Sequence, residues 1–197
     1  MEIMIKNGNT GDIAKVDERK RLYVNAVGFT GTQSATTDGR SFNINTGWIT
    51  ITQESAIMYF KNDEDTDFLI DAIALGVKDG DTSDIGSLYV VRNPQNGNII
   101  SNAVAVDMLQ NRNFGSSAVL KNTTLAYKGA DGNTFTDGMD IALFAQNDRG
   151  RLYATVDFDL PRGSAIGLRF DPSLATGSVD IYAALIGYRK DEKLVTA

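Results

Sequence analysis

The sequence predicts an all-β protein: an antiparallel two-sheet β-sandwich, jelly-roll-like, with an extended N-terminal arm. Three observations lead there. Of the 25 acidic residues, 20 are Asp and only five are Glu (Glu2, Glu18, Glu54, Glu64, Glu192); Asp closes turns through the local backbone, whereas Glu favours helices. Nineteen glycines and only three prolines are spread over 197 residues, so turns punctuate the whole chain. Between the turns lie short runs of period-two alternation at intervals of roughly 10–20 residues, the pattern of a sandwich rather than of helices.

The elements follow in order. Residues 21–27 read as a strand with Leu22, Val24 and Ala26 on one face. Residues 41–45 alternate, Thr46-Gly47 turns the chain, and 48–52 runs back. A strand over 56–61 ends in the acidic turn 62–67. Residues 68–77 are apolar on both faces, which fits a strand covered on both sides better than a helix, because turn clusters bracket it closely. Residues 87–92 and 99–101 flank Asn96-Gly97, a hairpin signal. Shorter strands are expected at 118–120 and 124–127, then longer ones at 140–145, 151–158, 165–170 and 178–188. Helix is scarce: residues 12–20 and 106–111 could make a turn or two, and 28–40 read as a polar loop. The expected organisation is therefore an arm or first strand over 1–27, a polar loop over 28–40 and the sandwich over 41–197.

Composition narrows the chemistry. The chain contains no Cys and no His, which removes His-based triads, Cys nucleophiles, zinc sites built on either residue, and iron–sulfur clusters. A net charge of −6 argues against a nucleic-acid partner, which calls for a basic stripe. The longest apolar stretch, 68–77, is interrupted by Asp71 and falls short of the ~20 residues needed to cross a bilayer. No membrane partner and no secretory signal are expected, and the chain reads as a soluble protein made in the cytosol.

Three acidic groups invite a calcium reading: 79–84, then Asp131 with Asn133, Asp137 and Asp140, then Asp63, Glu64, Asp65 and Asp67. Calcium takes six to eight oxygens, and an EF-hand loop ends in a bidentate Glu; the first group would place Val90 there. Solvated turns are the simpler account, so no metal and no cofactor are expected. For glycoside hydrolysis the available carboxylates are Glu54, Asp71, Asp157 and Asp159, with nothing in the sequence to join two of them. No catalytic residue is assigned and no enzyme is expected. The aromatics Trp48, Tyr59, Tyr89, Tyr127, Tyr153 and Tyr182 lie mostly on strands, where they build cores or line interfaces. The arm differs. Its apolar patches, with Ile3 and Ile5 and then Ile13 and Val16, precede Arg19, Arg21 and Tyr23, and bury too little to order alone. These seven residues are the candidate interface, through strand addition to a neighbouring subunit.

Four segments carry a resemblance: IKNGNTGDIAKVDERKRL (5–22), SFNINTGWITIT (41–52), VDMLQNRNFGSS (106–117) and KGADGNTF (128–135). They resemble structural proteins of tailed-bacteriophage particles. The resemblance implies a β-rich, multicopy virion component without cofactor, assembled in the host cytoplasm, and it transfers no functional residue. Within that class the expectation is a head decoration (cement) protein, a homotrimer that clamps the major capsid protein or a neighbouring virion protein. The alternative is a neck, collar or tail component that contacts a host glycan through loops such as 28–40 and 129–139.

Overall fold

The computed structural model describes residues 31–78, 86–146, 150–172 and 177–190. In chain order the elements are α1 (Gly31–Thr37), β1 (Ser41–Asn45), β2 (Ile49–Ile51), β3 (Ser55–Lys61), β4 (Phe68–Lys78), β5 (Gly86–Arg92), α2 (Asn98–Asn102), β6 (Met108–Asn111), β7 (Leu125–Lys128), β8 (Met139–Gln146), β9 (Gly150–Leu160), β10 (Ala165–Asp171) and β11 (Val179–Arg189). Two antiparallel sheets form. One runs β6-β1-β11-β4-β9, with β2 also on β11; the other runs β7-β3-β10-β5-β8.

The order has a simple origin. Strands on either side of the chain's midpoint pair as one long folded-back ribbon: β5 with β8, β4 with β9, β3 with β10 and β1 with β11. Rolling that ribbon brings β11 beside β4 and β10 beside β5. The result is a jelly roll. The remaining strands, β6 and β7, lie between β5 and β8 in the chain and extend the two sheets beside β1 and β3.

The alternating side chains of both sheets meet in one core. Phe42, Ile44, Ile73, Leu75, Ile181 and Leu185 come from the first sheet, and Met58, Phe60, Leu88, Val90, Leu168 and Phe170 from the second. Two bulges adjust the phase. Opposite Ile70–Ala72, β9 carries one extra residue, and opposite Leu168–Arg169 so does β3. The second lets consecutive Ile57 and Met58 both enter the core. A smaller cluster of Ala56, Tyr59, Ile99 and Ala165 forms apart from it, with Tyr127 and Phe135 packed alongside.

The structure corrects several expectations. Residues 99–101 are helical, within α2: Ile99 is buried against Tyr59, and Ala103 ends the turn in the left-handed region with its N–H on the Ile99 carbonyl. Asn96-Gly97 makes no hairpin, because Asp137 captures the N–H groups of Gln95 and Asn96 and pins this loop to another. Residues 108–111 form strand β6 rather than helix, since the open edge of β1 offers them partners. Residues 118–120 form no strand; Leu120 instead plugs the core. The polar loop expected at 28–40 contains α1, closed by Gly39 at φ 70°, a conformation that costs glycine little. The strand expected at 21–27 and the helix at 12–20 lie outside the described residues.

One end of the sandwich is tied by a buried carboxylate. Glu64 accepts hydrogen bonds from the Lys121 backbone N–H (2.7 Å) and the Thr124 hydroxyl (2.6 Å), and pairs with the Arg189 guanidinium at 3.3 Å. Beside it the Asn62 amide donates to the Leu160 and Thr66 carbonyls. Replacing Glu64→Ala leaves two donors and part of a cation unmatched, so a loss of about 2–4 kcal/mol is expected in urea unfolding. A loss within experimental error of zero would refute this role.

Candidate functional site

The seven arm residues proposed as an interface, Ile3, Ile5, Ile13, Val16, Arg19, Arg21 and Tyr23, lie outside the described residues, as does the acidic segment 79–84. The site that can be built residue by residue is on the second sheet. Arg169 on β10 is in register with Tyr89 on β5, and its guanidinium lies 4.4 Å from the centre of the Tyr89 ring. The two outer ends of the same guanidinium reach carboxylates, one to Glu54 and the other to Asp140 at 2.6 Å. A cation over an aromatic face and between two anions is held in one orientation.

Beside this node lies an open cavity of about 300 Å³, walled by residues 133–138. Its wall is fixed by side-chain-to-backbone bonds rather than by regular structure. The Asp131 carboxylate accepts from the Thr52 N–H and hydroxyl, both at 2.8 Å. The Asp137 carboxylate accepts from the backbone N–H groups of Gln95 and Asn96 at 2.8 and 2.9 Å, and from the Asn96 amide at 2.7 Å. The Thr134 N–H donates to the Asn98 side chain at 2.5 Å. Donors crowding the two carboxylates hold both below the ordinary Asp value, chiefly the Asn96 N–H at Asp137 and the Thr52 N–H at Asp131.

The same bonds account for two of the acidic groups. In the second, Asp131, Asp137 and Asp140 each serve a different partner. In the third, Glu64 is the buried tie, Asp65 pairs with Lys121 at 2.5 Å, and Asp63 and Asp65 both lie near Arg162. Among the described residues no three acidic side chains are placed to hold a metal ion. The four carboxylates considered for hydrolysis are divided. Glu54 belongs to the Arg169 node on the second sheet. Asp71 and Asp157 belong to the first, where burial and then these two charges raise the pKa of Tyr188. Asp159 pairs with Lys190 at 2.7 Å.

The aromatics divide likewise. Tyr59 is buried, stacked on Tyr127 at 5.8 Å, and burial pushes its hydroxyl up to about 12. Trp48 is half exposed, edge-on to Tyr182 at 5.0 Å, with the Lys78 ammonium over its ring.

A second feature escaped the sequence reading. Apart from Trp48, the exposed large apolar side chains fall into two groups at the lateral edges of the sandwich. Val104, Met108, Leu109, Phe114 and Val119 belong to β6 and its flanks, and Met139, Ile141, Leu143 and Tyr153 to β8 and β9. Phe114 is fully exposed. Between the β8 and β9 edges the sheets leave a cavity of about 400 Å³, lined by Ile141, Phe158 and Ile166 and rimmed by Arg92, Asp157 and Asp159. The alternation of 140–145 and 151–158 was legible, but which strands end a sheet is a property of topology that no local pattern carries.

Acid should loosen the 133–138 wall. Because the folded-state values of Asp131 and Asp137 are lowered, their stabilisation is complete above the ordinary carboxylate value of 3.8 and is lost as pH falls through the lowered values. Amide protection factors at residues 132–138 should therefore hold from neutral pH to near 3.8 and fall below it, and Asp137→Asn should flatten that step. Protection that stays constant well into acid would refute the assignment. No family model matches the sequence, and no curated protein matches it.

Proposed function

We propose that this is a non-enzymatic structural protein of a tailed-bacteriophage virion, a capsid decoration (cement) protein that stabilises contacts between major capsid subunits. The observation that carries this reading is the distribution of exposed apolar side chains: they line both lateral edges of the jelly roll. Exposed apolar groups gathered in this way mark interaction surfaces. Two edges let one molecule bridge two neighbours. The acidic net charge of −6 suits a protein that works on the outside of a particle and must stay off the packaged genome. Its partners are further copies of itself and the major capsid protein, and its place is the virion, assembled in the host cytoplasm.

A neck, collar or tail component that binds a host glycan is the second reading. The cavity walled by residues 133–138 favours it, because Asn133, Thr134 and Thr136 bring amide and hydroxyl groups beside Phe135, a combination that fits a hydroxyl-rich ligand. Copy number separates the two readings. A cement protein is present in hundreds of copies per particle and sits over capsid subunit junctions in a reconstruction. A count of a few copies at the neck or tail tip would overturn the cement assignment and favour the glycan reading.

A further inference from the structure

The edge of the first sheet suggests how copies of this chain meet. β9 is the last strand of its sheet; one side pairs with β4, and the other pairs with no described strand. It is 11 residues long, whereas β6 and β7, the edges opposite, have four residues each. Edge strands are blunted by proline, by charged side chains, lysine above all, or by bulges. Residues 151–160 (RLYATVDFDL) hold no proline and no lysine; their charges are Arg151, Asp157 and Asp159, and the bulge is confined to one end, at 155–158. Side chains alternate strictly along the strand, with Arg151, Tyr153, Thr155 and Asp157 exposed and Leu152, Ala154, Val156 and Phe158 half buried. The alternation continues through the bulge. The half-buried row packs against the core without being closed off by it.

The charges on this edge are ordered. Arg151 lies at one end and Asp157 six residues on, about 20 Å along a strand, and neither has a hydrogen-bond or ion-pair partner among the described residues. Asp159 differs, being paired with Lys190. Opposite charges at the two ends of one face form a self-complementary pattern: run antiparallel against a copy of itself, the strand sets each cation against an anion. β8, the other long edge, lacks it, since its one charged residue with a described side chain, Asp140, is held by Arg169.

We infer that two copies of this chain associate by antiparallel pairing of their β9 edges about Ala154, so that Arg151 of each copy faces Asp157 of the partner subunit. In this register Tyr153 faces Thr155 of the partner subunit, and directly opposed residues share a face, as antiparallel pairing requires. The contact is isologous, with the same patch on both copies and the one ion pair made twice by symmetry. It continues the first sheet across the two-fold axis and covers the half-buried Leu152, Val156 and Phe158 row. Strand addition of this kind draws affinity from main-chain hydrogen bonds and register from side-chain pairs. The contact is two-fold, where the sequence reading expects a trimer, and the mass of the assembly decides between them.

The test is sedimentation velocity on the full chain at micromolar concentration. The wild type should sediment as a dimer. Arg151→Asp and Asp157→Arg should each weaken it by at least about tenfold, because each places like charges opposite one another twice. The double variant should restore the dimer. A second measurement bypasses any folding defect of the charge variants. The chain has no Cys, so single-cysteine chains Tyr153→Cys and Thr155→Cys, mixed and mildly oxidised, should cross-link to each other in preference to themselves. A wild-type monomer overturns the proposal, and so does a trimer, or a dimer indifferent to both charge reversals. Failure of cross-linking between the two cysteine chains overturns it equally. None of these outcomes bears on the copy number per particle, which tests the cement reading separately.

Discussion

The structure depends on hydrogen bonding between strands far apart in the chain. β1 is held by β11, more than 130 residues away, and the contact is sealed by Thr46, whose N–H donates to the Ala183 carbonyl while its hydroxyl accepts from the Ala183 N–H. Every inner pair of the folded-back ribbon is enclosed by an outer one, so the last strand to be made also closes the sheet around β4. Such an order puts the entropy of long loop closure ahead of the contacts that offset it. The core therefore needs apolar faces strong enough to hold partly assembled sheets. The fully buried Phe42, Phe60, Phe68 and Phe170, two from each sheet, supply that.

The long, regular parts of this plan were readable because alternation survives without knowledge of the partner. Phe68 to Val77 reads as a strand covered on both faces, and Phe68–Lys78 is one: its inward side meets the second sheet, and on its outward side Leu69 and Ala72 are buried too. What failed was local pattern that tertiary demand overrode. Asn96-Gly97 has the composition of a tight hairpin turn, yet Asp137, some 40 residues on, supplies a better acceptor for the loop's N–H groups. Met108 and Leu109 have the composition of a helical turn, yet β1 leaves one edge open and residues 108–111 pair with it. In each case the deciding group lies beyond the reach of any window on the sequence.

The chemistry was legible in a different way. The preference for Asp over Glu predicted turn closure, and Asp131 and Asp137 do that by accepting backbone N–H groups across loops, which is work a longer Glu does less well. Carboxylates occupied in this manner are poor candidates for ligating a cation or moving a proton, because their lone pairs already have donors. Arg169 could not be singled out, because its importance arises from the strand order that sets it over Tyr89 and within reach of Glu54 and Asp140. The exposed apolar edges have the same cause: Leu143 and Tyr153 lie on the outward faces of β8 and β9, and only the strand order shows that these two strands end their sheets.

A body whose long β8 and β9 edges pair with no further described strand, and whose net charge is −6, faces a conflict between solubility and association. At distances beyond the Debye length, about 8 Å in physiological salt, like-charged copies see little of one another's detail and repel weakly as wholes. Closer in, local order takes over from net charge. An edge that carried only apolar residues would accept any strand, whereas Arg151 and Asp157 set six residues apart favour one register and one direction. A shift by one residue would turn the half-buried row outward, and a shift by two would separate both ion pairs. The overall acidity discourages indiscriminate stacking, and the pattern on β9 defines which contact is still made.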